Sequence, residues 1–288
     1  MKRILVTGSN GYIGKHLCAM LEKRFPDIEL HRLDYCSVSD YHQFDCDIRD
    51  TQELKNGVLS LHTYDTIIHL AALVRVGESV DYPTLYYDTN IIGTKNILKY
   101  VKHYNFIFAS TGAASNPISP YGLSKRCAED IVREQCHNYT IFRFYNVTGS
   151  DGFPATNPDG LFYNLCEATK TGTFDLYGTN YNTKDGSCIR EYIHVNDVCS
   201  AIIKAIDNPT NDIENLAYND TRTVKEIVNI FKETNGVDFQ VIYKDARPGD
   251  LEAMYLPNPS KLMTRNYTYE EMLKWKNLNS LATSSHIS

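Results

Sequence analysis

Apolar positions fall into short strand-length runs separated by longer stretches with helical spacing. Ile4-Leu5-Val6 heads a strand predicted over residues 2–7, and further runs stand at Thr66–Leu70, Phe106–Ala109 and Thr140–Phe144. Between them, Leu17, Met20 and Leu21 recur at helical intervals within 13–24, and the spacing predicts further helices over 89–103 and 122–136. Strands joined by helices of this length make βαβ units, so the class is α/β with a doubly wound, largely parallel sheet. The rhythm breaks over 150–190. Gly, Pro, Asn, Asp and Thr crowd 151–160, a helix follows around 161–170, and turn residues return at 178–186. Beyond lie a helix over 223–234, a strand over 237–243 and a turn at 245–250 around Pro248-Gly249. This organisation predicts a main domain over 1–149 and a smaller carboxyl-terminal lobe over 150–277. Segments such as 190–206 return to the main domain, and 278–288 form a frayed tail. In such folds the ligand crevice lies at the carboxyl ends of the strands.

Composition narrows the partners. The chain has 288 residues, 42% hydrophobic and 22% charged, which is ordinary globular composition. The net charge of -6 and the lack of a basic block argue against a nucleic-acid partner. A few arginines can still build a local pocket for an anion. No apolar stretch approaches the length of a membrane span. Met-Lys-Arg leads straight into Ile4 with no signal-peptide pattern, so the expected location is cytoplasmic. The eight cysteines are scattered, with no Cys-x-x-Cys pair and no histidine cluster beside them, so free thiols are expected and no metal site.

Gly8-Ser9-Asn10-Gly11-Tyr12-Ile13-Gly14 follows the first strand and opens the first helix. A tight turn, close backbone approach to a pyrophosphate and a helix packed near its strand each exclude a Cβ, so this is a Rossmann-like dinucleotide turn. Its spacing is Gly-x-x-Gly-x-x-Gly. An acidic residue about twenty positions on would grip the ribose hydroxyls of NAD, and Asp34 stands there. Arg32, two residues earlier, could accommodate the 2'-phosphate of NADP. Asp34 is the better placed. Asp47-Ile48 offers a later acidic residue near a strand end as an adenine contact.

Tyr121 and Lys125 stand at i and i+4 inside a predicted helix, on one face. A free phenol titrates near pH 10, and an ammonium one turn away favours phenolate, as does an oxidised nicotinamide. Thr111, just past the strand at Phe106–Ala109, could bring a hydroxyl to the same substrate oxygen. Together they suit removal of an alcohol or sugar proton while hydride leaves for the cofactor.

With these motifs assembled, the chain resembles the extended short-chain dehydrogenases/reductases and, within them, the UDP-glucose 4-epimerase family. The resemblance covers roughly residues 2–265. Val6–Gly14, Ile67–Val80, Asp88–Thr94, Pro120–Lys125 and Arg143–Gly149 carry it, and the stretch from Gly178 to Val195 discriminates. It implies that Tyr121 is the base, that Lys125 tunes it and holds the nicotinamide ribose, and that Thr111 replaces the usual serine. It implies that Gly8, Gly11 and Gly14 hold the pyrophosphate. Tyr12, Ile13, Leu70, Ala71, Ala72, Ser110 and Tyr145 would line the dinucleotide, and Asn90 would support the active-site helix. Asn146, Arg190, Arg247 and Asp250 would hold UDP, with Tyr177 beside the uracil.

The implied activity interconverts UDP-glucose and UDP-galactose through transient oxidation at C4 by tightly held NAD+, in a homodimer. Several positions depart from the pattern. The family's acidic ribose contact aligns with Arg32, which leaves NADP open, and a lysine near the nicotinamide is replaced by Val74. The stretch between Thr111 and Tyr121 is short, and the position gating the sugar pocket is Met254, beside Tyr255. The rivals are a UDP-N-acetylhexosamine epimerase, a nucleotide-sugar dehydratase or decarboxylase, and a nucleotide-sugar-binding protein without activity. Dehydratases carry Asp-Glu where this chain has Gly112-Ala113, and decarboxylases a glutamate nearby.

Overall fold

The computed structural model describes residues 2–35, 43–149, 159–246 and 251–274. The described chain forms two compact units. One is the chain up to Phe144 together with Cys199–Asn215; the other is Tyr145–Val198 with the described residues from Leu216 on.

The first unit follows the βαβ rhythm. Its elements are β1 (Arg3–Thr7), α1 (Tyr12–Arg24), β2 (Glu29–Asp34), β3 (Gln43–Asp45), α2 (Thr51–Asn56), β4 (Thr63–His69), α3 (Val76–Asp81) and α4 (Pro83–Tyr87). A π-helical turn (Asp88–Gly93), α5 (Thr94–Tyr100), β5 (Lys102–Ala109), α6 (Pro120–Gln135) and β6 (Tyr139–Arg143) follow. Its parallel sheet has the order β10-β6-β5-β4-β1-β2-β3, with β10 (Ile213–Asn215) added at the β6 edge. From β1 the chain winds outward through β2 and β3, then returns to β4 on the other side of β1. That reversal is the topological switch point, where ligands of such sheets bind. Leu5, Leu33, Ile67, Phe106, Phe108 and Ile141 supply buried strand side chains, joined by Ile97, Ala128 and Val132 from the helices. Consecutive residues of β1 and β4 are buried, as expected of strands covered on both faces.

The second unit holds β7 (Asn146–Thr148), α7 (Leu161–Thr171), β8 (Thr173–Tyr177) and β9 (Ile189–His194). α8 (Val195–Asp207) starts here and ends in the first unit. β11 (Thr221–Thr223), α9 (Val224–Asn235), β12 (Gln240–Lys244), β13 (Ala253–Met254) and α10 (Tyr269–Leu273) complete it. β9 is the hub, pairing with β7, β11 and β13, while β8 pairs with β12. Phe162, Leu165, Phe174, Leu176, Tyr192, Phe231 and Met272 form its core.

Some boundaries differ from the sequence reading. The helix expected over 89–103 is the π turn plus α5 and ends at Tyr100, because Lys102 and His103 already belong to β5. The strand expected over 237–243 starts at Gln240. Gly236, left-handed at φ 60°, ends α9, and Val237 N–H bonds back to Lys232 O. The strands β2 and β8 and the helix α8 were not read as elements. The crowded residues 151–158, the Pro248-Gly249 turn and the tail 278–288 lie outside the described residues.

Candidate active site

The glycine turn sits at the switch point. Gly8 is left-handed at φ 69°, and a Cβ there would lie 2.7 Å from the Ala71 nitrogen. At Gly14 a Cβ would come within 2.3 Å of Gly8 O, so α1 starts flush against the turn. Gly11 is the N-cap of α1, and no side chain caps this helix, which leaves Tyr12, Ile13 and Gly14 in a first turn suited to a phosphate. Leu70 N–H bonds to Thr7 O and Ala71 N–H to Thr7 Oγ1, so the β4 exit through Ala72 lies alongside the turn.

The β1–β2 register pairs Val6 with Arg32 and Thr7 with Leu33, which puts Asp34 level with Gly8 and Arg32 deeper along the strand. Asp34 accepts from Asn10 N–H in the turn at 2.8 Å. Arg32 is buried and ion-paired with Glu22 of α1 at 2.5 Å. Asp47 is paired with Arg49, whose guanidinium holds its carboxyl below the usual range. Ile48 is a core residue whose side chain fills the space a Cβ at Gly93 would need.

A continuous chain of buried hydrogen bonds runs from this turn to α6. Ala71 N–H donates to Thr7 Oγ1, which is also hydrogen-bonded to His69 Nδ1 at 2.7 Å. The Thr94 hydroxyl donates to Asn90 O at 2.7 Å and therefore accepts from His69 Nε2–H at 3.1 Å. His69 is thus the neutral Nε2–H tautomer, and burial lowers its pKa to about 3, with Lys125 adding to the effect. The Asn90 side chain exchanges bonds with both Leu73 N–H and Leu73 O, and donates to Ser124 Oγ at 2.9 Å. Ser124 donates to Tyr121 O. Asn90 sits within the π turn, whose extra residue per turn is a recurrent feature of functional sites.

Pro120 and the Ser119 N-cap start α6 so that Tyr121, Lys125 and Glu129 share one buried face. The short stretch before it closes down as a 3-10 turn over Gly112–Ala114, against which Gly122 leaves no room for a Cβ. Thr111 caps that turn through Ala113 N–H, and its hydroxyl favours the Tyr121 phenolate. Burial pushes the Tyr121 phenol up to about 12, with Thr111 opposing. Burial also lowers Lys125 to about 7, with Glu129 opposing, and the ammonium lies 4.2 Å over the Phe108 ring. Burial thus disfavours the charged form of both groups, phenolate and ammonium alike. The Ser110 hydroxyl is bonded to Glu129 at 2.5 Å.

In the second unit, Asn146, Tyr177 and Arg190 line one cavity of about 390 Å³. Cys188, Arg190 and Tyr192 reach it by the alternation of β9. Arg190 is braced by Ile189 O and Leu251 O, both at 2.9 Å, and Asn146 by Glu191 O. Met254 pairs in register with Arg190 across β13 and β9. Tyr145 is the first residue of this unit. Arg247 and Asp250 lie outside the described residues.

A family model described as the NAD dependent epimerase/dehydratase family matches residues 4–219. The chain belongs to this family. The UDP-glucose 4-epimerase of Rhizobium meliloti (strain 1021) is 30% identical over 314 residues, covering 95% of this chain and 92% of that protein. The structure of UDP-glucose 4-epimerase from Brucella ovis in complex with NAD aligns at 27% identity with a TM-score of 0.86, over 95% of this chain and 96% of that one. The UDP-Glc/GlcNAc 4-epimerase of Campylobacter jejuni aligns at 28% identity and a TM-score of 0.79, over 95% and 97% of the two chains. The cofactor of this family member is NAD. The residues fit that group: a turn with glycine at positions 8, 11 and 14, an uncapped helix start and the Asp34 carboxylate beside it. Arg32, the residue that left NADP open, is ion-paired with Glu22 of α1.

The sequence reading missed Thr7, His69, Thr94, Ser124, Glu129 and Arg143. A lone histidine ending an apolar strand and a glutamate one turn beyond Lys125 were the available signals. His69→Leu is expected to leave the Thr7 and Thr94 hydroxyls without their imidazole partner and to cost about 2–4 kcal/mol in urea denaturation. The unfolded imidazole takes a proton near pH 6.5 and the folded one only near 3. Stability from His69 is therefore complete above 6.5 and is lost as pH falls towards 3, a slope the variant should lack. An equally steep acid loss in the variant contradicts this role.

Proposed function

We propose that the protein is a UDP-hexose 4-epimerase that interconverts UDP-glucose and UDP-galactose. The observation that carries this reading is the buried Thr111–Tyr121–Lys125 group, held in the same unit as the glycine turn. Tyr121 accepts the proton of the sugar 4-hydroxyl, Thr111 orients that oxygen, and Lys125 stabilises the phenolate. NAD, when bound, supplies the acceptor that takes the C4 hydride and returns it to the opposite face. Gly8, Gly11 and Gly14 hold the pyrophosphate, Asp34 the ribose, and Lys125 the nicotinamide ribose. Arg190, with Arg247, meets the UDP diphosphate by charge and directed hydrogen bonds, while Asn146, Tyr177 and Asp250 hold the rest of UDP. Firm UDP binding with a loosely held hexose lets the 4-keto sugar turn over before reduction.

The turn after Thr111 brings no carboxylate, since Gly112, Ala113 and Ala114 form it, so an acid to drive elimination of water is lacking there. At the gate position Met254 the large side chain favours glucose and galactose over the N-acetylated UDP-hexoses. The cytoplasm suits the free thiols. Among the described residues, no helix is long and apolar enough to cross a membrane. A homodimer is supported by the exposed side chains Leu85, Ile92 and Leu123, which lie on α4, the π turn and α6, elements packed on one another.

Purified protein incubated separately with UDP-galactose and UDP-N-acetylgalactosamine is expected to equilibrate the first with its glucose epimer, without net consumption of NADH. Tyr121→Phe is expected to retain NAD and lose at least about 10²-fold in turnover, the scale of general-base catalysis. Full activity in that variant, or loss of water or carbon dioxide from the sugar, overturns the reading. Sedimentation should give twice the 32.8 kDa chain mass, falling to the monomer in Leu123→Glu. A wild-type monomer contradicts the dimer.

A further inference from the structure

α6 carries a third charged group on the face it shares with Tyr121 and Lys125. Glu129 is fully buried one turn beyond Lys125, and its two oxygens are fully engaged. Oε1 accepts from Ser110 Oγ at 2.5 Å and from Arg143 Nε at 2.8 Å; Oε2 accepts from Arg143 Nη2 at 2.5 Å. The clamp thus joins the ends of β5 and β6 to α6. A carboxylate held this way cannot swing towards solvent or towards the lysine, so its distance from Lys125 is fixed.

Lys125 needs such a neighbour. Its ammonium is almost entirely removed from water, and the face of the Phe108 ring is its partner from β5. The titratable groups facing it are Tyr121 and Glu129 from its own helix and His69 from β4; Arg143 on β6 stands behind Glu129. Tyr121 is a neutral phenol until it reacts, and His69 is neutral with both nitrogens committed. Glu129 is the carboxylate among these, held in place by its ion pair with Arg143.

We propose that Glu129, clamped by Ser110 and Arg143 one turn along the buried face of α6 from Lys125, is a positioning residue whose fixed carboxylate sustains the Lys125 ammonium. Burial alone drives Lys125 to shed its proton, and Glu129 is the opposing influence. A neutral lysine could neither stabilise a phenolate nor hold the Tyr121 proton in balance. The clamp therefore sets the upper pH limit of the catalytic pair. Bidentate pairing with Arg143 also prevents Glu129 from becoming a competing base within the site.

The role in turnover rests on the epimerase reading, whereas the charge of Lys125 does not. The test uses full-length, NAD-containing protein with 13C,15N-labelled lysine, the Lys125 signal being assigned by its loss in Lys125→Arg. Glu129→Gln is expected to lower the Lys125 titration midpoint by about one pH unit relative to wild type. The alkaline limb of kcat moves down with it while KM stays put, and Glu129→Asp, which keeps the charge, restores both in part. If Glu129→Gln does not fold, the double variant Glu129→Gln/Arg143→Met removes the buried ion pair whole and should shift the midpoint down by less, because loss of the guanidinium offsets part of the lost carboxylate. An unmoved midpoint, or a kcat lowered equally at every pH, overturns the proposal and leaves Glu129 a purely structural clamp. A shifted midpoint in a protein that epimerises nothing upholds the electrostatic role and overturns the epimerase reading alone.

Discussion

A hydroxyl or imidazole sealed from water must find its partners inside the fold, and an unpaired one costs about 1–3 kcal/mol. In the first unit that requirement is met by one hydrogen-bond chain from Thr7 through His69, Thr94, Asn90 and Ser124 to the Tyr121 carbonyl. It crosses β1, β4, the π turn with α5, and α6. The residue before the glycine turn and the residue that bears the base are therefore tied by partners that cannot be exchanged for solvent. His69 can serve only as the neutral tautomer that accepts at one nitrogen and donates at the other, which is why its burial and its low pKa belong together. Asn90 satisfies both its donors and its acceptor because the π turn seats it between Leu73 and Ser124.

On that frame the sheet presents two kinds of electrostatic surface. At the switch point the protein offers backbone N–H groups and a helix start, which suit phosphate without any fixed cation. Beside it, α6 lines up phenol, ammonium and carboxylate at successive turns, the first two shifted chiefly by burial. The protein thus keeps the proton-transfer pair close to charge balance. The cavity of the second unit works differently. Arg190 is braced by two backbone carbonyls, which fix its guanidinium.

Local chemistry was legible in the sequence. The glycine turn needs no partner beyond its own strand and helix, and Tyr121-x-x-x-Lys125 declares itself by helical spacing, so both were found without a structure. Long-range partnerships were not. β2 reads Glu-Leu-His-Arg-Leu-Asp, with too little apolar character to mark a strand, yet its register with β1 decides that Asp34 faces the turn and Arg32 faces Glu22. The helix boundary near 100 was overrun because β5 begins with polar residues. His69 and Glu129 carry no motif; their partners lie far along the chain and meet them only in the folded sheet. The short stretch before Tyr121 read as missing loop, while the fold shows it closed down onto Gly122.

The central claim is that hydride leaves the sugar at C4 and returns to the same carbon, without reaching solvent and without net redox. UDP-glucose deuterated at C4 tests it most directly when incubated with the NAD-containing protein until epimers equilibrate. The account predicts UDP-galactose that retains the deuterium at C4, with none in bulk water and no accumulation of reduced cofactor. Deuterium washed out into solvent, or UDP-galactose formed with protium at C4, would contradict it.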